Sequence, residues 1–253
     1  MALVSTEAIV LHSFDYLESS RVLRLATRDA GVRSAIAKGA RRSSRRFGGG
    51  LDLFSCGVAH LYTKPGRDLD TLAGFDDLRT GIHLGSNLGR FTGASAIAEL
   101  TLRFSHEASA DTGLYDAVAG ALEGIGSAAP EETRAAVLAG AWRIVAELGF
   151  APALDDCAEC HAPLPGDEVV MFSHPAGGAL CARCAQLARG RVLPAGARGA
   201  VRSWLAGGTV ALADAAEARA HQRLLREFLG EHLIDGRPMR AFDIWAHELW
   251  GTA

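Results

Sequence analysis

The sequence lacks any apolar run long enough to cross a bilayer. None of its stretches approaches the roughly 20 uninterrupted apolar residues that a spanning helix needs. Residues 1–7 also lack the basic region followed by an apolar run that marks a secretory signal. We therefore expect a cytoplasmic protein with no membrane partner.

Motifs of nucleotide hydrolysis and metal catalysis are missing as well. No G-x-x-x-x-G-K-[ST] phosphate loop is present, and the glycines at 48–50 are not followed by a lysine. His106-Glu107 and His247-Glu248 lack the second histidine of a zincin helix, and there is no H-x-E element of a zinc deaminase. The acidic pairs at 76–77 and 155–156 have no further carboxylate or lysine to complete a catalytic set, so we interpret them as turn or cap residues. We expect no catalytic residue, no small-molecule substrate and no enzyme activity.

Apolar residues, by contrast, are plentiful, and the charges are unevenly placed. Hydrophobic residues make up 49% of the 253 residues, which is ample for a core and favours more than one domain. The net charge is only -3, yet residues 21–46 contain nine basic residues and a single acid, Asp29. This segment predicts one positive surface on an otherwise acidic body, for which a polyanion is the natural partner.

The first 80 residues have the pattern of a small β-barrel. Five short strands are predicted at 6–12, 20–26, 32–37, 55–62 and 69–75, separated by turn signals at 29–31, 47–50 and 64–67. Cys56 lies in one of them and is predicted to be a small buried residue. Five strands in this length favour an OB-type barrel.

From residue 81 onward the apolar period becomes helical. Helices are predicted around 84–102, 114–125, 136–148, 201–205 and 224–233. An irregular insert at 153–188 interrupts them and carries four of the five cysteines. The predicted class is therefore α+β, with an OB domain at 1–80 and a helical domain at 81–253 that contains the insert.

The four cysteines of the insert have the spacing of a structural zinc site. Cys157 and Cys160 form one C-x2-C pair, and Cys181 and Cys184 form a second. Two such pairs supply a closed tetrahedral set of four thiolates, which leaves no position for a catalytic water. Two disulfides or four ordinary buried thiols are the alternatives, and a cytoplasmic location disfavours the disulfides. We predict one structural Zn²⁺ and treat His161 and His174 as solvent-facing loop residues.

A basic loop is predicted between the third and fourth strands. Guanidinium groups bind phosphates bidentately, so a run of arginines among serine and glycine can follow a nucleic-acid backbone. A solvated charge run is the alternative, but Phe14, Tyr16, Phe47 and Tyr62 lie nearby in sequence and could stack on bases. The predicted nucleic-acid contacts are Arg21, Arg24, Lys38, Arg41, Arg42, Arg45 and Arg46.

Several stretches together resemble the bacterial recombination mediator family RecO. They are residues 7–11, 18–20 and 37–42 of the predicted barrel, 98–100 of the first helix, and 148–160 with 177–184 around the cysteines. The resemblance implies binding of single- and double-stranded DNA without strong sequence preference, strand annealing and recombinase loading in DNA repair. It also implies a place with the nucleoid and two partners, RecR and the single-stranded DNA-binding protein. The arginine-rich loop with three consecutive glycines departs from the family pattern.

Two other functions remain as alternatives to this mediator. A zinc-ribbon transcriptional regulator should carry a base-reading helix beside the metal, whereas the cysteine turns offer only Arg183, Gln186 and Arg189. An enzyme would need convergent titratable groups, which the sequence does not place in a pocket. The resemblance to the RecO family also implies that the partner segment of the single-stranded DNA-binding protein is its C-terminal tail, which is acidic and ends in apolar residues. Candidate contacts for this tail are Arg134, Arg143 and Arg202.

Overall fold

The fold is mixed α+β, as predicted. The computed structural model describes residues 2–41, 47, 51–64, 66–78, 84–105, 111–166, 168–233 and 237–247. Eight strands and six helices are assigned among these residues.

The first five strands close into a barrel. They are β1 (Ala2–Tyr16), β2 (Ser20–Thr27), β3 (Gly31–Ala37), β4 (Cys56–Thr63) and β5 (Leu69–Asp77). Strand β1 is long enough to pair with β4 along its first half and with β2 along its second half, and the parallel pairing of β3 with β5 completes the order β1-β2-β3-β5-β4. This is the five-stranded OB-type barrel that the sequence predicts, although β1 extends four residues beyond its predicted bounds at each end.

Alternate residues of the strands face two different cores. Ala8 and Val10 of β1 point into the barrel with Leu23, Leu61 and other small or branched side chains. Ile9 and Leu11 point outward and join the core of the helical region. A bulge between Val10 and His12 then shifts the register, so the later part of β1 turns a new set of side chains to the outer surface.

Six helices follow the barrel. They are α1 (Leu88–Phe104), α2 (Thr112–Ser127), α3 (Thr133–Glu147), α4 (Ala195–Leu205), α5 (Ala215–His232) and α6 (Arg240–His247). Helix α6 was not predicted, and it buries Phe242 and Trp245 against the bundle. Within the part of the chain that the structure describes, no helix is both long and apolar enough to cross a membrane.

The predicted irregular insert between α3 and α4 contains a small antiparallel sheet. Its strands β6 (Val170–Ser173), β7 (Gly178–Leu180) and β8 (Arg191–Leu193) pair in the order β7-β6-β8. The prediction of irregular structure was wrong because three- and four-residue strands are too short to show a period. Val170, Phe172 and Leu193 anchor one side of this sheet in the helical core.

The barrel and the helices share an apolar boundary and a polar link. Phe54 of the barrel packs edge-on against Phe91 of α1, with ring centroids 5.9 Å apart. At its margin Arg28 donates to Glu7 and Asp116, each at 2.7 Å, and its guanidinium lies 4.7 Å from the centre of the Tyr115 ring. The two carboxylates raise the pKa of Arg28, because their hydrogen bonds favour its charged form.

Candidate metal centre and nucleic-acid interface

The first cysteine pair sits on a tight turn that its own backbone closes. The N–H of Cys157 donates to Ala162 at 2.8 Å, and the N–H of His161 donates to the carbonyl of Cys157 at 2.8 Å. His161 has a positive φ of 58°, which lets the chain reverse within a few residues. The turn therefore aims both sulfurs to one side.

The second cysteine pair follows strand β7 directly. Cys181 lies just after the strand and Cys184 begins a 3-10 turn, Cys184–Gln186. The N–H of Ala158 donates to Ala179 at 2.8 Å and so joins the two pairs. The N–H of Cys181 also donates to Cys157 Sγ at 3.4 Å. These contacts bring together four sulfurs that are separated by up to 27 positions in the chain.

The four sulfurs have the dimensions of a tetrahedral metal site. All of them lie within 4.8 Å of one another, and Cys160 Sγ is 3.8 Å from Cys181 Sγ. Zinc–sulfur bonds of about 2.3 Å require sulfurs about 3.8 Å apart in a regular tetrahedron. The sulfur set thus fits a divalent cation with a closed thiolate shell.

Hydrogen bonds within the cluster shift the pKa values of two of its thiols in opposite directions. Burial raises the pKa of Cys157, but backbone N–H groups of Cys181, Cys160 and Glu159 outweigh it and bring the value down to about 6. The pKa of Cys184 is instead raised to about 12, first by its hydrogen bonds to Cys181 and Cys160 and then by burial. Four neighbouring sulfurs cannot all become thiolates without a compensating positive charge, which a bound dication supplies.

A pair of arginines on α4 holds the turn that carries Cys157 and Cys160. Arg198 is fully buried and donates to the carbonyl of Leu154 at 2.6 and 2.9 Å and to that of Pro165. One helical turn later, Arg202 donates to Gly166 at 3.0 Å and pairs with Asp155. The two guanidiniums therefore grip both ends of the segment 154–166. The sequence pattern did not reveal this clamp, because its acceptors are backbone carbonyls.

The two histidines of the insert have different environments. His161 is exposed, as predicted. The prediction for His174 was wrong, because its ring packs edge-on against Phe172 and lies 3.1 Å from a carboxylate oxygen of Glu227. Burial lowers the pKa of His174, although Glu227 opposes this effect. Among the described residues the metal cluster consists of the four cysteines alone.

The predicted nucleic-acid residues meet in part at one end of the barrel. Arg21 is the second residue of β2 and pairs with Asp15 at 3.3 Å, and Arg41 approaches the same carboxylate at 3.6 Å. Lys38 is exposed directly after β3, whose last residue is the cross-strand neighbour of Arg21. Arg24 lies half-buried further along β2. The predicted contacts Arg42, Arg45 and Arg46 lie outside the described residues.

The positive surface is smaller than the count of basic residues predicts. Arg28 faces the helical region, and Arg33 pairs with the buried carboxylate of Asp70 at 2.6 Å. Arg21 also approaches Asp52 at 3.6 Å. A positive charge that is neutralised within the fold contributes little to an external field. The sequence could not show these pairs because the partners are remote in the chain.

Three of the predicted aromatic side chains are exposed on the strands of the same barrel. The exposed fractions of Phe14, Tyr16 and Tyr62 are 47%, 44% and 40%. Cross-strand pairing joins Phe14 to Val22 on β2, and Tyr62 to Leu3 on β1. Phe47, in contrast, is buried in the barrel interior and is unavailable for stacking. Three of the four predicted rings thus lie on the outer surface, where they could stack on bases.

Ser5 of β1, His60 of β4 and Asp76 of β5 are linked by hydrogen bonds across three neighbouring strands of the barrel. Ser5 Oγ lies 2.8 Å from His60 Nδ1, and His60 Nε2 lies 3.0 Å from an oxygen of Asp76. A catalytic triad requires a buried carboxylate that orients the imidazole and a pocket that excludes water. Asp76 is 74% exposed. The arrangement therefore does not meet the requirements of a hydrolytic site.

Comparison with known proteins identifies two matching family models. The model described as Recombination protein O N terminal matches residues 1–80, and the model described as Recombination protein O C terminal matches residues 85–240. A DNA repair protein RecO from Rubrobacter xylanophilus is 35% identical over 241 residues, which cover 94% of each chain. A protein of the same name from Anaeromyxobacter dehalogenans strain 2CP-C is 35% identical over 243 residues, again 94% of each chain. With both halves of the fold matched and the relatives aligned along nearly their whole length, this chain belongs to the RecO family of DNA repair proteins.

Proposed function

We propose that the chain is a non-enzymatic mediator of DNA repair and recombination. It binds single- and double-stranded DNA without strong sequence preference, anneals complementary strands and helps to load recombinase onto strands coated with single-stranded DNA-binding protein. The observation that carries this proposal is that one barrel presents both cations, Arg21, Lys38 and Arg41, and exposed aromatic rings on its surface. Cations neutralise the phosphates while rings accept unstacked bases, and neither interaction selects a sequence.

The two parts of the chain have separate roles in this proposal. Residues 1–80 form the DNA-binding domain, and residues 81–253 form a domain for protein partners in the cytoplasm at the nucleoid. The insert holds one structural Zn²⁺ on Cys157, Cys160, Cys181 and Cys184, which supplies the cohesion that its small sheet cannot. The metal does no chemistry on DNA, because four thiolates leave no open coordination position.

The proposed protein partners are RecR and the single-stranded DNA-binding protein. Two of the arginines predicted to receive the acidic tail of the latter are engaged within the chain: Arg143 donates to Leu205 and pairs with Glu147, and Arg202 belongs to the clamp. A cavity of about 440 Å³ between α5 and α6 fits such a tail better. Leu229, Met239 and Phe242 give the cavity apolar walls. Its charged lining residues are Arg226 and Arg237 together with Glu227 and Asp243, so the apolar end of the tail is the part that we assign to it.

The zinc-ribbon regulator finds no support in the geometry beside the metal. A sequence-reading protein inserts a helix or a strand pair into the major groove. Arg183, Gln186 and Arg189 instead surround a 3-10 turn of three residues, which is too short to lie along a groove.

The proposed function is tested by annealing of complementary oligonucleotides coated with single-stranded DNA-binding protein. The assay contains no ATP, and EDTA removes free magnesium. We expect the chain to accelerate duplex formation and to leave both strands intact on a denaturing gel. A requirement for ATP, or the appearance of shortened strands, would show that an enzyme activity has been missed.

A further inference from the structure

We propose that the second cysteine turn and β8 form a second nucleic-acid surface, which holds the complementary strand during annealing. This surface, termed here the knuckle surface, comprises Arg183, Gln186, Leu187, Arg189, Arg191 and Val192. The proposal rests on the DNA-binding function given above and extends it, because it assigns the two strands to two different parts of the chain.

The charge of this region has one sign. From residue 169 to residue 213 the sequence contains five arginines and no aspartate or glutamate. Two of these arginines, Arg198 and Arg202, are used inside the fold as the clamp. The other three are exposed around the second cysteine turn. Arg183 hydrogen-bonds to the sulfurs of Cys160 and Cys184, and Arg191 pairs with Glu227 at 3.0 Å while its side chain remains 68% exposed. Arg189 is exposed on the same turn. The acidic residues of the module, such as Asp156 and Glu159, belong to the other cysteine turn.

Apolar side chains project outward among these arginines. Leu187 is 90% exposed and Val192 is 65% exposed. The local backbone explains the exposure of both side chains. Leu187 lies at the end of the 3-10 turn. Val192 pairs with Met171 and faces the outer side of the sheet, because its neighbour Leu193 faces the core. Apolar side chains that protrude beside guanidiniums can contact base faces once the phosphates are bound.

The shape of the surface favours a nucleic acid over an acidic peptide. A peptide tail that ends in apolar residues needs a concave apolar pocket, and the cavity with that character lies between α5 and α6. On the knuckle surface the apolar side chains protrude instead of lining a pocket, with Leu187 90% exposed. A protruding surface with spaced cations suits a flexible polyanion that can wrap around it.

Packing contacts and hydrogen bonds connect the knuckle surface to the barrel through the helices. The clamp of Arg198 fixes the first cysteine turn to α4, and Phe172 of the sheet packs in the helical core against Phe228, with ring centroids 6.2 Å apart. Arg28 and the apolar boundary then join the helices to the barrel. Two DNA-binding surfaces on one folded chain raise the effective concentration of one strand near the other, which favours annealing.

The experiment compares three variants of the full chain. Arg189→Glu reverses one charge of the knuckle surface, Leu187→Ser removes its most exposed apolar side chain, and Arg219→Glu changes an exposed arginine on α5 as a matched control. Zinc content and thermal unfolding confirm that each variant keeps its fold. Binding of one labelled strand and the annealing rate of uncoated complementary strands are then measured.

We expect the two knuckle variants to bind the first strand as the unchanged protein does. The annealing rate should fall in both knuckle variants, while Arg219→Glu anneals as the unchanged protein does. For Arg189→Glu the fall should be about three- to tenfold, because the variant loses a phosphate contact and adds repulsion. Bridging of two non-complementary oligo-dT strands that carry a donor and an acceptor dye should weaken in the same variants.

Other outcomes separate the two proposals. If Arg189→Glu anneals and bridges strands like the unchanged protein, the second surface does not exist and the mediator function stands. If only strands coated with single-stranded DNA-binding protein anneal more slowly, the knuckle surface binds protein and the assignment to DNA is wrong. If the unchanged protein binds no DNA, the proposed function itself fails, and this inference fails with it.

Discussion

The carboxylate of Glu99 in α1 accepts a hydrogen bond from the backbone N–H of Phe242 in α6 at 3.0 Å. The residues are 143 positions apart, and the bond ties the first helix of the bundle to the last. Arg103, one turn further along α1, donates to the carbonyls of Arg237 and Pro238 at 2.6 and 3.0 Å. One face of α1 therefore fastens both the start of α6 and the segment that leads into it.

Replacing Glu99 should loosen α6 specifically. A carboxylate that accepts from the first turn of a helix satisfies a free N–H and interacts well with the helix dipole. We expect Glu99→Ala to lower the free energy of unfolding by about 1–2 kcal/mol. Hydrogen exchange should locate the loss in residues 240–247. Glu168→Ala, which changes an exposed glutamate, is the control, and equal losses in both variants would contradict the role of Glu99.

Removing the buried guanidinium of Arg198 should weaken the metal site at a distance. Arg198→Met retains much of the side-chain volume but removes the donor to the carbonyl of Pro165 and the two short hydrogen bonds to that of Leu154, which keeps only a 3.4 Å contact with Arg202. An unsatisfied buried carbonyl costs about 1–3 kcal/mol. We expect a lower unfolding temperature and faster zinc transfer to a chromogenic chelator. Arg189→Ala, which leaves the clamp intact, should release zinc at the original rate. Unchanged release from Arg198→Met would show that the clamp does not support the metal site.

The cysteine cluster should bind one zinc ion per chain, and all four thiols should be needed. Structural zinc in small thiolate sites contributes an apparent ~10 to 16 kcal/mol, so loss of a ligand should unfold the insert. We expect Cys157→Ser protein to contain less than the full equivalent of zinc by elemental analysis. Cys56→Ser should retain it, because Cys56 lies apart in the barrel and contacts the carbonyl of Phe54 at 3.5 Å. Protein purified without chelator that holds no zinc would refute the assignment.

DNA binding by the barrel should depend strongly on salt. Each phosphate contact that is lost reduces the slope of log K against log salt by about 0.7 to 0.9. We expect the double variant Lys38→Ala, Arg41→Ala to reduce the slope by about twice this amount, and further replacement of Arg42, Arg45 and Arg46 to flatten it more. Arg219→Ala is the control outside the barrel. An unchanged slope would identify the basic segment as a solvated charge run.

His221 should make the helical bundle sensitive to acid. Burial lowers the pKa of His221 below its ordinary 6.5, with Glu217 opposing the shift, and the ring packs edge-on against Trp204 at 4.8 Å. The unfolded chain therefore takes up a proton at higher pH than the folded chain, so the stabilisation is present above pH 6.5 and is lost as the pH falls.

A His221→Leu variant tests this effect. The free energy of unfolding, measured from about pH 7.5 to about pH 5, should fall less steeply than in the unchanged protein. Because protons also compete for the thiolates, the comparison is between the two slopes rather than between absolute values. Identical slopes would exclude His221 as the source.

The sequence predicted those parts of the fold whose signals are local. The barrel strands follow from short runs of strand-forming residues bounded by turn signals, and the four-cysteine cluster follows from two C-x2-C spacings. What it missed depends on partners far along the chain. Glu99 meets Phe242 across 143 positions and Arg28 meets Asp116 across 88, and no period or spacing marks either pair.

The nucleic-acid surface of the barrel was less predictable than the fold, because it too depends on contacts between residues that are distant in sequence. A count of basic residues cannot reveal that Arg33 forms an ion pair with the buried carboxylate of Asp70. Proximity in sequence likewise cannot reveal that Phe47 is buried in the barrel core. Both facts depend on which face of the barrel each residue occupies after the chain has closed. Residues 42–46, which carry three of the predicted contacts, lie outside the described part of the chain.

The position of the metal module between α3 and α4 has a consequence for how the chain acquires its fold. Residues 148–194 separate two helices that pack against each other, with Arg143 of α3 donating to the carbonyl of Leu205 in α4 at 3.1 Å. Joining the ends of a long flexible connection costs entropy that rises with its length. When Cys157, Cys160, Cys181 and Cys184 bind one cation, the residues between them are held together, so the flexible length of the connection 148–194 becomes much shorter. Zinc capture should therefore hasten the docking of α4 during synthesis, and a zinc-starved cell would accumulate chains whose barrel is complete while the later helices remain unassembled.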